Sequence, residues 1–227
     1  MKNNTKIGKN KGSKKHGLIT GVDVLRKLNL FYVLIFYFII VYINAWFAIN
    51  APDYEMHSPP LYDRGFNLLN GKISNIYSEI TLFGPMLFFI LRWFFTNKNV
   101  LANYFLLVGS LLMLRVVVFM MTEVPSTSSK CTQKLWKRKQ EWSPKHFKWL
   151  LTSADNNTCA DNMFSGHTTH ITAMTLFTLY YSKNIMEKAL FVISTIATMI
   201  LLVWSRMHYT SDVIIAVFIT IGAFFTL

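Results

Sequence analysis

The chain has 227 residues, 52% of them hydrophobic and 15% aromatic, with 23 Lys and Arg against 11 Asp and Glu. It is too apolar for an ordinary soluble domain of this size, and its excess positive charge sits in a tail and in loops. Apolar runs of about 20 residues, enough to cross a bilayer, recur along it, so the expectation is an all-α polytopic membrane protein that takes no nucleic acid.

In chain order, Met1–Asn29 comes first, with eight Lys and Arg and a single acid, Asp23. It reads as a basic cytosolic tail that sets topology, with attraction to anionic lipid as a second use. A cleavable signal does not fit, because the next apolar run is too long for a signal core and no small-residue cleavage site follows. Residues 30–227 form one domain with six expected spans: Leu30–Asn50, Tyr77–Phe95, Val100–Met121, Ser165–Tyr181, Glu187–Ser205 and Tyr209–Leu227. A cytosolic tail and six spans place the loops Ala51–Ile76 and Thr122–Phe164, and the corner Arg206–Tyr209, on the exoplasmic side. The seven Lys and Arg of Thr122–Phe164 pull against that orientation, and the tail outweighs them. That loop also holds Cys131 and Cys159. In an oxidising compartment a disulfide between them competes with two free thiols.

Two stretches at span ends concentrate the ionisable groups. Cys159 to Thr168 contains Asp161, Ser165, Gly166 and His167, and Arg206 to Asp212 contains His208 and Tyr209. His208 and Asp212 stand four apart, so on a helix the carboxylate can orient the imidazole. His167 and His208 lie 41 positions apart. Two spans and a short turn use up that distance and return the chain to the same membrane face. Ser165 suits an N-cap, and Gly166 lets a ligand approach the free amides of a helix start, a ready phosphate site. The stripe Thr168, Thr169, Thr172, Thr175 and Thr178 suits close helix packing inside a bundle, and His170, one turn on, reads as a packing or hydrogen-bonding residue. Arg115 lies about 9 Å inside the third span, where a guanidinium needs Glu79, Asp212 or a bound phosphate as partner. Arg206 can meet the same phosphate or reach lipid headgroups. Metal-type spacing among the histidines is missing, so neither metal nor cofactor is expected.

These stretches resemble the sphingomyelin synthase family, the lipid-phosphotransferase branch of the type 2 phosphatidic acid phosphatase superfamily. Cys159-Ala160-Asp161 through Phe164-Ser165-Gly166-His167-Thr168 is similar to the family's C-G-D-x-x-F/Y-S-G-H-T, with Ala160 for glycine. His208-Tyr209-Thr210-Ser211-Asp212-Val213 through Ala216 is similar to H-Y-T/S-x-D-V-x-x-A. Pro59-Pro60-Leu61-Tyr62-Asp63 resembles P-P-L-P-D, with Tyr62 for proline, and Leu114-Arg115 through Pro125 and Cys131 resembles the third span and its loop.

The resemblance implies a two-step transfer of phosphocholine or phosphoethanolamine from phosphatidylcholine or phosphatidylethanolamine to ceramide, with diacylglycerol released. It makes His208 the nucleophile, Asp212 its orienting acid and His167 the acid–base, with Arg115, Ser165, Gly166, Asp161, Tyr209 and Arg206 as substrate-binding candidates. It implies an enzyme of the Golgi, endoplasmic reticulum or plasma membrane with an exoplasmic site, and leaves room for a homo-oligomer. The chain reaches Leu227 straight after its last span, so the cytosolic tail common in animal relatives is expected to be missing. The rivals are a lipid phosphate phosphatase, an inositol phosphorylceramide synthase-like transferase and a non-catalytic lipid-binding bundle. Against the phosphatase, no Lys-x6-Arg-Pro element occurs, and Arg206 stands only two residues before His208. Against the non-catalytic bundle, the three catalytic-type residues are intact.

Overall fold

The computed structural model describes residues 27–49, 60–122, 124–127 and 163–226. Asp161, Cys131, Cys159 and most of the basic tail lie outside them. The described residues contain seven helices and no strand: α1 (Leu30–Ile49), α2 (Arg64–Leu68), α3 (Ile76–Thr96), α4 (Lys98–Met121), α5 (Gly166–Tyr181), α6 (Ile185–Trp204) and α7 (Thr210–Thr226). The described residues are thus all-helical, and a helix occupies most of each segment expected to span the membrane. Among the described residues, stretches of α3, α4 and α6 are both long and apolar enough to cross a membrane by that measure alone. By contrast, α5 has 16 residues and α7 has 17. At 1.5 Å per residue each is about 25 Å long, short of a hydrocarbon core of about 30 Å. The short helix α2 was not foreseen in the sequence.

Local chemistry sets the helix ends. Asn97 closes α3 and opens α4, its side chain accepting from the Asn99 amide at 3.1 Å. Asn184 caps α6 through the Met186 amide at 2.9 Å. Ser165 caps α5 through the Thr168 amide at 3.2 Å. The far end of α6 closes differently. The Met207 amide reaches back to Leu202 O and the Arg206 amide to Val203 O, both at 3.0 Å. This is a Schellman turn with Arg206 at its left-handed position, φ 56°, a place usually held by glycine.

Lipid tails are as apolar as leucine, so close packing and internal hydrogen bonds, rather than expulsion of water, hold such helices together. Helix α4 is the most enclosed: Val100, Ala102, Tyr104 and Val108 are fully buried, and it packs against α1, α3 and α5. Helix α5 lies among α3, α4, α6 and α7. Its threonines are buried, and Thr175 bridges to α6 through Thr195 Oγ1 at 2.6 Å and Phe191 O at 3.1 Å. One turn below His167, the His170 ring lies 3.2 Å from Tyr37 Oη and 2.7 Å from Tyr104 Oη, which joins α5 to α1 and α4. The outer faces carry Phe31, Phe38, Phe95 and Phe218, all exposed. An apolar exterior suits a lipid solvent, where in water it would be a liability.

Candidate active site

His167 lies in the first turn of α5, and His208 lies in the corner between α6 and α7. Their ring centroids are 6.1 Å apart at 61°. One main-chain hydrogen bond ties the two stretches: the Ser165 amide donates to Asp212 O at 3.1 Å. His208 is buried, whereas His167 remains 24% exposed at its side chain and is the more accessible to a substrate.

Each imidazole has a carboxylate beside it. Asp212 Oδ2 lies 3.7 Å from His208 Nδ1, within ion-pair reach, and accepts the Tyr209 amide at 3.1 Å. At 3.7 Å that carboxylate acts on the imidazole through charge rather than through a hydrogen bond. Glu79 Oε1 lies 3.3 Å from His167 Nε2. Read from the sequence as a partner for Arg115, Glu79 instead faces His167, because α3 packs on α5 at this level. The available signal was an acid inside an apolar span, which is costly unless used.

Arg115 is buried. Its Nε donates to Phe164 O at 2.8 Å and its Nη1 to Asn44 Oδ1 at 2.7 Å. Asn44 is held in turn by donating to Leu112 O at 2.8 Å. The guanidinium lies against the bare face of Gly166, where an added Cβ would come 3.9 Å from Arg115 Cζ. Arg115, the start of α5 and both histidines therefore surround one place. Asn44, a lone amide in an apolar helix, was missed in the sequence reading.

Arg206 and Tyr209 sit at the edge of this group. The Arg206 guanidinium lies over the Phe66 ring, 5.2 Å from its centroid. Tyr209 is buried and stacks on Phe66 at 5.6 Å, with its hydroxyl among loop main-chain groups. Ser165 is fully buried.

Residues 158–227, which include both histidines and Asp212, match the family described as PAP2 superfamily C-terminal. The chain is similar to human phosphatidylcholine:ceramide cholinephosphotransferase 1, 26% identical over 189 residues, covering 77% of this chain and 45% of that protein. It is 28% identical over 129 residues to the phosphatidylinositol:ceramide inositolphosphotransferase of Trypanosoma cruzi (55% of this chain, 38% of that protein). It is 30% identical over 116 residues to the phosphatidylethanolamine:ceramide ethanolaminephosphotransferase of Trypanosoma brucei brucei (50% and 36%). The chain thus spans less than half the length of each of these three curated relatives. Its last 70 residues match the PAP2 superfamily C-terminal family, and the longer similarities are to ceramide phosphotransferases.

Proposed function

We propose that this chain is a ceramide phosphotransferase working through a phosphohistidine. His208 Nε2 attacks the phosphorus of a glycerophospholipid. As the N–P bond forms, the bond from phosphorus to the diacylglycerol oxygen breaks, and His167 gives that oxygen a proton. Diacylglycerol leaves. The primary hydroxyl of ceramide then attacks phosphorus, passing its proton to His167, and the N–P bond breaks to release the phosphosphingolipid. Asp212 steadies the charge on His208, and Glu79 orients His167. Arg115 and the amides at the start of α5 offset charge on the phosphoryl oxygens in a site poor in water. Asp161 and Arg206 complete the proposed substrate contacts, while Tyr209, expected from the sequence to join them, is buried with its hydroxyl engaged by loop main chain.

The observation that carries this reading is the pair of imidazoles 6.1 Å apart, each with its own carboxylate, beside the Arg115 guanidinium. The relatives differ in headgroup, so choline, ethanolamine and inositol donors all belong in the test. The reading includes a basic cytosolic tail at 1–29, a six-span domain at 30–227 and an exoplasmic site in the Golgi, endoplasmic reticulum or plasma membrane. A lateral opening to the bilayer belongs to it too, because a transferase must keep water from its phosphoenzyme.

Expression in cells lacking ceramide phosphotransferase activity, with fluorescent ceramide and each donor in turn, tests the proposal. A phosphosphingolipid should form in step with diacylglycerol, and diacylglycerol release should rise with added ceramide. Release of free phosphorylated headgroup that ignores ceramide would make the chain a hydrolase and overturn the proposal.

A further inference from the structure

Asp63 sits in the loop before α2, far from His208 in sequence and outside the catalytic set, yet four donors converge on its carboxylate. Gly65 N and Phe66 N reach Oδ1 at 2.7 and 3.3 Å, which caps α2. Thr210 Oγ1 reaches the same oxygen at 2.7 Å, and Thr210 N reaches Oδ2 at 2.6 Å, which caps α7. One carboxylate thus opens two helices, the second of them two residues after His208. The approach is tight: a methyl at Gly65 would collide with Thr210 Oγ1. Tyr209 braces the neighbouring position. Its hydroxyl accepts from the Leu61 amide at 3.0 Å and shares its one proton between Pro125 O at 3.0 Å and Ser126 O at 3.2 Å. Thr127 Oγ1 adds a bond to Arg206 O.

We infer that Asp63, Gly65 and Thr210, with Tyr209, form a latch that fastens the catalytic corner to the loops before α2 and after α4 and thereby aims His208. These are positioning residues, and their role rests on the transferase reading above. The corner needs such a hold. Ser205 to Tyr209 is a bare turn between two helices, steered by a left-handed Arg206, and neighbouring amides at a helix start are unpaired unless a side chain takes them. Asp212 takes the Tyr209 amide from within α7, and Asp63 takes the next one from outside it. Burial alone would raise the Asp63 pKa, but the bonds from Thr210, Gly65 and Phe66 outweigh it and hold it below the ordinary carboxylate value. The latch therefore contributes its stability above that ordinary value and loses it only as pH falls through the lowered one. Between pH 5 and 8 it stays closed.

The test uses the full chain in lipid nanodiscs, read by transfer kinetics and by hydrogen–deuterium exchange. Asp63→Ala should lower kcat about tenfold, the scale of one lost helix cap, with KM for the phospholipid within about twofold. Exchange should quicken in peptides covering residues 205–213 and stay unchanged in α4. Asp63→Asn keeps a single acceptor oxygen and should fall between, which keeps the test open if Asp63→Ala does not fold. Gly65→Ala should give the same signature with the carboxylate intact. Asp63→Ala and Thr210→Val should be non-additive, as contacting partners are. Unchanged kcat and exchange in Asp63→Ala would overturn the latch, and so would raised KM at unchanged kcat, the mark of direct lipid contact. If the wild-type chain transfers no headgroup while Asp63→Ala still quickens exchange at 205–213, the transferase reading fails and the latch stands.

Discussion

The starts of α5 and α7 lie side by side, joined by the hydrogen bond from the Ser165 amide to Asp212 O, and both concentrate the partial positive charge of a helix N-terminus. Two carboxylates fill the α7 start: Asp212 takes the Tyr209 amide and Asp63 the Thr210 amide. At the α5 start Ser165 Oγ takes the Thr168 amide, and among the described residues no acceptor meets the amides of Gly166 and His167. With Arg115 beside Gly166, the α5 end suits an anion from outside, whereas the α7 end already holds anions of its own. The difference teaches that equal dipoles do not make equal sites. The occupancy of the first amides decides which end can take a phosphate.

The largest effect should come from the reacting groups between the two starts. His208→Ala and His167→Ala should each lower transfer by about 10³-fold or more, with membrane insertion retained, as measured with fluorescent ceramide in reconstituted vesicles. Full activity in His208→Ala would end the phosphohistidine scheme. Next come the carboxylates beside them. Glu79→Gln and Asp212→Asn should each lower kcat by about 10²-fold, the lower end of what proton transfer by a positioned group contributes. If Glu79→Gln were neutral, the 3.3 Å contact with His167 would be structural only.

Gly166→Ala tests the open end directly. The new methyl would meet Leu112 Cδ2 at 3.8 Å and Arg115 Cζ at 3.9 Å, ordinary contact distances, so thermal stability should hold. The methyl would occupy the approach to the free amides, so KM for the phospholipid donor should rise about tenfold, as for one lost charge-assisted contact. An unchanged KM would remove the phosphate from that place. The smallest effect is expected at Arg206. Glycine relieves the left-handed backbone, so Arg206→Gly should raise stability by about 1 kcal/mol in thermal unfolding. Transfer should nevertheless drop about threefold, as for a partly exposed charge near a headgroup. Transfer that rose with stability would make Arg206 a turn residue alone.

Much of the fold was legible because its cause is local. The helices follow from apolar runs, and Ser165 was readable as a cap, whereas Asn97 and Asn184 open α4 and α6 two residues before the expected starts at Val100 and Glu187. The missed elements had weak local signals: α2 is five residues long, and its cap, Asp63, is only partly explained by α2 itself. At the site, the nearness of His208 and Asp212 was readable from their i,i+4 spacing, although His208 lies in the corner before α7 and not on the helix that carries Asp212. The pairing of His167 with Glu79 was not, since it depends on how α3 is rotated against α5 across 88 positions of chain.

The sequence by itself determined an all-helical chain of membrane type, the family signature, and the return of His167 and His208 to one end of the bundle. These follow from hydropathy, residue spacing and a fixed rise per residue, all carried by neighbours along the chain. Tertiary structure alone decided that Glu79 serves His167, that Asn44 holds Arg115, and that Asp63 reaches Thr210 across 147 positions. Those contacts depend on helix rotation and close approach in three dimensions. A shift of an ångström or a turn of a helix would reassign every one of them without changing a residue.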